Sequence, residues 1–271
     1  MTGRPKHLVD FHAHAFPEKV AARAISALTE SYHVHAHGEA TVAGLLRVMD
    51  ENGVDVSVIA PVATRPDQVR SINDWAAEVQ TERVACFGAL HPDLPDPGGE
   101  IEHMVQFGIR GVKLQPNFQA FSPDDRRLWP LYEAAQGKLV LLLHSGQEIK
   151  PIEHVYSRPE TLARVHRAFP GLTMVIAHMG GYQMRDEVRR HLVGEDVYFD
   201  TSYCGEKDLS TAQFTELIRA HGSQRIVFGT DYPWGEPGRD ITRLCEMDLS
   251  DGEINAIAWR NAAGLLRLGL S

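Results

Sequence analysis

Eight short apolar runs, separated by stretches with helical periodicity, constrain this chain more than any other feature. They are Leu8 to His14, Val54 to Ala60, Val84 to Leu90, Ile109 to Gln115, Lys138 to His144, Leu172 to His178, Asp196 to Ser202 and Arg225 to Asp231. Several are apolar almost throughout, the pattern of strands covered on both faces, and strands that alternate with crossover helices pair in parallel. Eight strand-helix units in about 250 residues have the dimension of a closed (β/α)8 barrel of the α/β class, whose functional side chains gather at the C-terminal strand ends. A doubly wound open sheet is the structural alternative, but no Gly-x-Gly-x-x-Gly follows the first run.

The segments between the runs carry their own signals. Thr41 can cap a helix with the apolar stripe Val42, Leu45, Leu46 and Met49, and Asn52-Gly53 supplies a left-handed stop. Ser250 with Glu253 forms a capping box before Ile254 and Ile257. Pro159, Pro170-Gly171 and Gly222 punctuate other crossovers, and no low-complexity tract divides the chain, so one domain over 1–271 is expected.

With eight strands placed, His12, His14, Lys113, His144, His178, Asp200 and Asp231 all fall at or within two residues of a strand end. His12 and His14 share a strand face roughly 7 Å apart, close enough for two imidazoles to meet one cation. A barrel turns the seven into one cluster, and an inventory of three imidazoles and a carboxylate suits zinc or a similar divalent ion.

Composition removes other classes. A net charge of −9 without a dense Lys/Arg block argues against a nucleic-acid backbone or an anionic membrane as the main partner but says little about a small-molecule substrate, the partner expected here, with a homo-oligomer still open. No apolar stretch approaches the roughly 20 residues of a membrane span. Cys86, Cys204 and Cys245 are odd in number and widely spaced, which suits a reducing compartment and a cytoplasmic protein.

The chain resembles the amidohydrolase superfamily, and within it the amidohydrolase-related branch that includes enzymes of the aminocarboxymuconate-semialdehyde decarboxylase type. The resemblance runs nearly end to end. It rests on Val9-Asp10-Phe11-His12-Ala13-His14, Met49 to Asp55, Ile109-Arg110-Gly111-Val112-Lys113-Leu114-Gln115-Pro116, Leu143-His144-Ser145-Gly146, Ala177-His178-Met179-Gly180-Gly181, Gly229-Thr230-Asp231-Tyr232-Pro233-Trp234 and Asn261-Ala262. It implies that His12, His14, His144 and Asp231 bind the metal, with His178 near the bound water. Lys113 is read either as a carbamylated bridge between two ions or as a charged lysine paired with Asp200 or with substrate; the single-ion reading is preferred. The related pattern often has His where this chain has Gln115.

Such a centre lowers the pKa of a bound water from 15.7 towards about 7, and Asp231 would take the water's proton and pass it to the leaving group. His178 would orient the water or polarise a carbonyl. Asp10 could orient a ligand or pair with Lys113. Arg65, Phe118, Phe121, Tyr156, Arg158, Tyr232 and Trp234 lie on loops after strands and are candidates to face substrate, with Arg65 or Arg158 suited to grip a carboxylate. His33, His35 and His37 read as a loop or lid rather than a second metal site. The leading expectation is a metal-dependent hydrolase of an ester, lactone or amide in a small, carboxylated molecule. The alternative is a non-oxidative decarboxylase, and a third reading is a ligand-binding barrel without metal.

Overall fold

The computed structural model describes residues 4–205 and 208–270. Its strands are β1 (Val9–Ala13), β2 (Val56–Ile59), β3 (Val84–Cys86), β4 (Gly88–Ala89), β5 (Gly111–Leu114), β6 (Val140–Leu143), β7 (Thr173–Ile176), β8 (Tyr198–Asp200) and β9 (Ile226–Val227). All pairings are parallel, in the orders β1-β2-β3 and β4-β5-β6-β7-β8-β9.

Each segment lies inside one of the eight apolar runs, and the third run is broken at Phe87 into β3 and β4. The break leaves the barrel wall intact, because the Phe87 N–H donates to Ile59 O at 2.9 Å. Closure comes from the last run meeting the first: Phe11 N–H donates to Phe228 O at 2.8 Å and Asp231 N–H to His12 O at 2.7 Å. A further parallel bridge joins Ala13 to Tyr232. The chain is therefore a (β/α)8 barrel.

The apolar runs are continuous because the barrel buries both faces of its strands: all four residues of β6, Val140-Leu141-Leu142-Leu143, are in the core. Helices cover the outside. The helix Val42–Asn52 starts where Thr41 accepts from Gly44 N–H at 3.0 Å and stops at Gly53, whose φ of 58° only glycine adopts without strain. The Ser250 and Glu253 side chains form their reciprocal box at the start of Asp251–Asn255. The helix Glu18–Tyr32, between β1 and the next helix, buries only Ala21 and leans its C-terminal end over the barrel mouth. No helix among the described residues is long and apolar enough to cross a membrane.

Candidate metal centre and active-site pocket

Strand pleat and barrel closure bring His12, His14 and Asp231 together. Each offers one donor atom, and the three atoms lie within 4.8 Å of one another, the one such set of three His, Cys, Asp or Glu among the described residues. His14 Nε2 lies 2.9 Å and His12 Nε2 3.5 Å from Asp231 Oδ1. Asp231 holds a left-handed backbone (φ 64°), and so does His178 (φ 59°), a conformation that costs a non-glycine residue about 1 kcal/mol or more and is kept where surrounding bonds over-determine it. The Asp231 N–H bond to His12 O is one of those bonds.

A row of buried polar groups fixes the imidazoles from behind. His12 Nδ1–H donates to Asp200 Oδ2 at 2.8 Å, which leaves the Nε2 lone pair facing the pocket. Asp200 Oδ1 also accepts from Ser202 Oγ at 2.6 Å and from the His178 backbone N–H at 2.9 Å. Burial pushes the Asp200 carboxyl up, but His12, His178 and Ser202 outweigh that and hold it far below the usual range. Asp231 likewise stays ionised, because His12 and His14 overcome its desolvation. Asp10, one layer lower, accepts from Thr230 Oγ1 at 2.6 Å and Thr230 N–H at 3.0 Å, so it braces the strand bearing Asp231 and does not pair with Lys113.

Lys113 is almost fully buried, with Nζ 3.0 Å from His12 Nε2. Burial pulls its pKa down to about 8 against the opposing pull of Asp200, Asp231 and Glu148. The expected partner Asp200 is already committed to His12 and Ser202, so Lys113 meets the imidazole instead.

His144 and His178 form a second imidazole pair on the same wall. His178 Nδ1–H donates to Ser202 O at 3.0 Å, so its Nε2 accepts from His144 Nδ1–H, also at 3.0 Å. That tautomer leaves a lone pair on His144 Nε2, which is buried without a hydrogen-bond partner and 3.1 Å from Glu148 Oε1. Burial, then the neighbouring His144, lowers the His178 pKa to about 4, so its imidazole is neutral. His144 stands apart from the three-donor set, but its free Nε2 has the chemistry of a ligand.

These groups floor a pocket whose upper walls are apolar and aromatic, including Phe16, Leu28, Tyr32, Phe118, Ile149 and Trp234. Five loop expectations fail here, one of them Tyr156, which is half-buried away from the pocket lining. Arg65 points into solvent, tied to Asp67 at 3.0 Å, because the tight turn that follows it places an acid two residues away. Tyr232 is wholly buried below the mouth, packed so closely against Gly38 that a Cβ there would collide with its phenol ring. Phe121 is core, and Arg158 turns outward to Glu187. Trp234, Phe118 and Lys113 do line the pocket. His33, His35 and His37 are exposed on the strap after Glu18–Tyr32, while the intervening Val34 lines the pocket. Sequence reasoning missed Glu148, a buried carboxylate on the pocket wall; its signal was the acid four residues beyond His144.

The Amidohydrolase family model matches residues 9–268. The chain belongs to the amidohydrolase family. A curated relative, the gamma-resorcylate decarboxylase of Polaromonas sp. (strain JS666), is 24% identical over 289 residues, covering 82% of this chain and 86% of that protein. Among solved structures, 5-carboxyvanillate decarboxylase from Sphingomonas paucimobilis superposes with a TM-score of 0.72 at 18% identity, covering 97% of this chain and 99% of the other. The dihydroxybenzoic acid decarboxylase of Polaromonas sp. JS666, with bound manganese and the inhibitor 2-nitroresorcinol, gives 0.70 at 18% identity over 98% of each chain. At those identities the structures speak for the fold alone. The expectation of hydrolysis is corrected by the curated relative, a decarboxylase, which favours the carboxy-lyase alternative. The donor set supports a divalent ion without singling out zinc.

Proposed function

We propose that this amidohydrolase is a metal-dependent, non-oxidative decarboxylase of a small aromatic carboxylic acid. The observation that carries the reading is the convergence of His12, His14 and Asp231 at the floor of an aromatic pocket in which Lys113 is the one lysine or arginine among the described lining residues. The donor set fits one divalent ion, with His144 and its unbonded Nε2 as the fourth candidate ligand. One ion needs no carbamylated lysine, and an amine at Lys113 suits the anchoring of a substrate carboxylate. The ion would supply Lewis-acid polarisation and an acidified oxygen ligand. Zinc and manganese are the two ions to compare.

The residues divide the work. Lys113 would hold the carboxylate, and the aromatic walls would sandwich the ring while excluding water. In the reaction the bond between ring carbon and carboxylate carbon breaks, its electron pair stays on the ring carbon, and carbon dioxide leaves. Asp231, ionised and beside His14, would take a proton from water on the pocket floor and deliver it to that carbon, the hydroxide left behind passing to solvent, so that carboxylate and water become ring C–H, carbon dioxide and hydroxide. His178, neutral and fixed by Ser202, would orient the ring against Asp231.

Incubating the metal-loaded protein with a panel of benzoic acids, lactones and esters, while following gas and acid in parallel, tests this. Carbon dioxide in equal amount to the acid consumed is expected. Acid released from esters or lactones without gas would overturn it.

A further inference from the structure

Tyr203 holds a backbone conformation that a residue with a Cβ disfavours. Its φ of 51° is left-handed, and strain of this kind persists where the surroundings over-determine it. Both neighbours are tied down. Ser202 gives its N–H to Asp200 Oδ1 at 3.1 Å and its carbonyl accepts from His178 Nδ1–H at 3.0 Å, while the Cys204 carbonyl accepts from the buried guanidinium of Arg243. The turn that follows β8 is thereby fixed, with Tyr203 half-buried in the pocket wall. A side chain held this firmly at the cost of backbone strain is preorganised for a ligand.

The ring is packed but the hydroxyl is not paired. Tyr203 stands edge-on to Tyr182 with centroids 5.9 Å apart, and Tyr182 stands edge-on to His178 at 6.3 Å, so ring contacts lead from the imidazole cluster along the wall to Tyr203. Its Oη makes no hydrogen bond among the described residues, and it is not one of the atoms sealed away from the cavity without a partner. Phenols in such surroundings ordinarily find an acceptor. Burial, then Tyr182 and Asp231, pushes the Tyr203 pKa up to about 12, so the group keeps its proton and can donate it. The Asp231 charge acts on Lys113 as well, which puts ammonium and phenol at the same end of the pocket.

We infer that Tyr203 binds the substrate, its Oη–H donating to one carboxylate oxygen of the bound acid while Lys113 holds the other. The inference rests on the decarboxylase reading for the reaction, but its own content is the recognition of an oxyanion by this phenol. An ammonium is a point charge that leaves a carboxylate free to swivel, and a second donor from another direction fixes its plane. With the plane fixed, the bond between ring carbon and carboxylate carbon keeps one angle to Asp231.

The test measures binding by calorimetry, with manganese-loaded protein and two probes: benzoate, which carries the oxyanion, and chlorobenzene, which lacks it. Tyr203→Phe keeps the ring and its contact with Tyr182. It should weaken benzoate binding about 10- to 100-fold, the range of one hydrogen bond to a charged acceptor, while chlorobenzene affinity and manganese content stay at the wild-type level. Benzoate held equally by wild type and variant overturns the inference. So does an equal loss of both probes, which marks packing in place of a hydrogen bond. Wild type that holds benzoate no better than chlorobenzene overturns it too, whether or not the variant folds. Carbon dioxide release from benzoic acids, followed separately, reports on the reaction: no gas with Tyr203-dependent benzoate binding would fell the decarboxylase reading alone, and gas with Tyr203-independent binding would fell this inference alone.

Discussion

The amine of Lys113 and the Nε2 lone pair of His12 face each other at 3.0 Å across the pocket floor. Because His12 gives its Nδ1–H to Asp200, that lone pair is the one it can offer a metal, and an ammonium beside it opposes a divalent cation. The Lys113 pKa is pulled down to about 8, so raising pH through 8 removes the opposing charge and should tighten manganese binding. Calorimetry between pH 6.5 and 9 should show an affinity gain of about tenfold in wild type, equivalent to about 1.4 kcal/mol, and a flatter profile in Lys113→Met. Equal profiles would remove Lys113 from the centre.

Asp200 touches no substrate in this arrangement and acts through His12. Its carboxylate fixes the imidazole tautomer, so Asp200→Asn should weaken metal binding by about 10- to 100-fold while the far-ultraviolet circular dichroism stays native. Metal retained at wild-type affinity would contradict this role.

In the proposed reaction Asp231 would combine ligation with proton transfer. Asp231→Asn should lower turnover by at least about 100-fold even where metal is restored by excess, because an amide cannot carry the proton. Recovery of full turnover at saturating metal would confine Asp231 to ligation.

Arg65 lies off the pocket, 64% exposed and paired with Asp67. Arg65→Ala should leave kcat/KM within about twofold of wild type and the thermal unfolding midpoint essentially unmoved. A large rise in KM would place it back at the substrate.

His221 makes a pH test remote from the metal. It stacks on Phe199 with ring centroids 3.8 Å apart, donates from Nε2 to Val197 O at 2.8 Å, and accepts from Gly194 N–H at Nδ1. Burial lowers its pKa to about 4 from 6.5. The unfolded chain then binds more protons between those values, so stability is full above about 6.5 and falls as pH drops towards 4, by an amount on the order of 3 kcal/mol. Thermal unfolding of wild type and His221→Gln across pH 4 to 8 should show a weaker dependence in the variant. Parallel curves would exclude His221 as the cause.

The barrel was legible because strands buried on both faces write themselves as unbroken apolar runs, as in Val140-Leu141-Leu142-Leu143, and their last residues stand out as polar. The same logic placed His12, His14 and Asp231 side by side. It could not foresee the break at Phe87, where one residue leaves the ladder without a change in apolar pattern. Nor could it aim loop side chains. Arg65 and Tyr232 follow strands as Trp234 does, yet a neighbouring acid takes the first and a close glycine contact seats the second inward. Glu148 was hidden for a related reason: it sits in the irregular segment after β6, where neither period operates, and only Asn117 and Gln115, some 30 residues away, turn it towards the cavity.

The proposed reaction breaks a carbon–carbon bond in this pocket and protonates the carbon left behind. Running the metal-loaded protein on a hydroxylated benzoic acid in deuterium oxide tests it in one step by mass spectrometry of the product. One carbon dioxide and one phenolic product carrying a single non-exchanging ring deuterium are expected per substrate consumed. Unchanged acid, alongside turnover of esters or lactones by the same preparation, would contradict it.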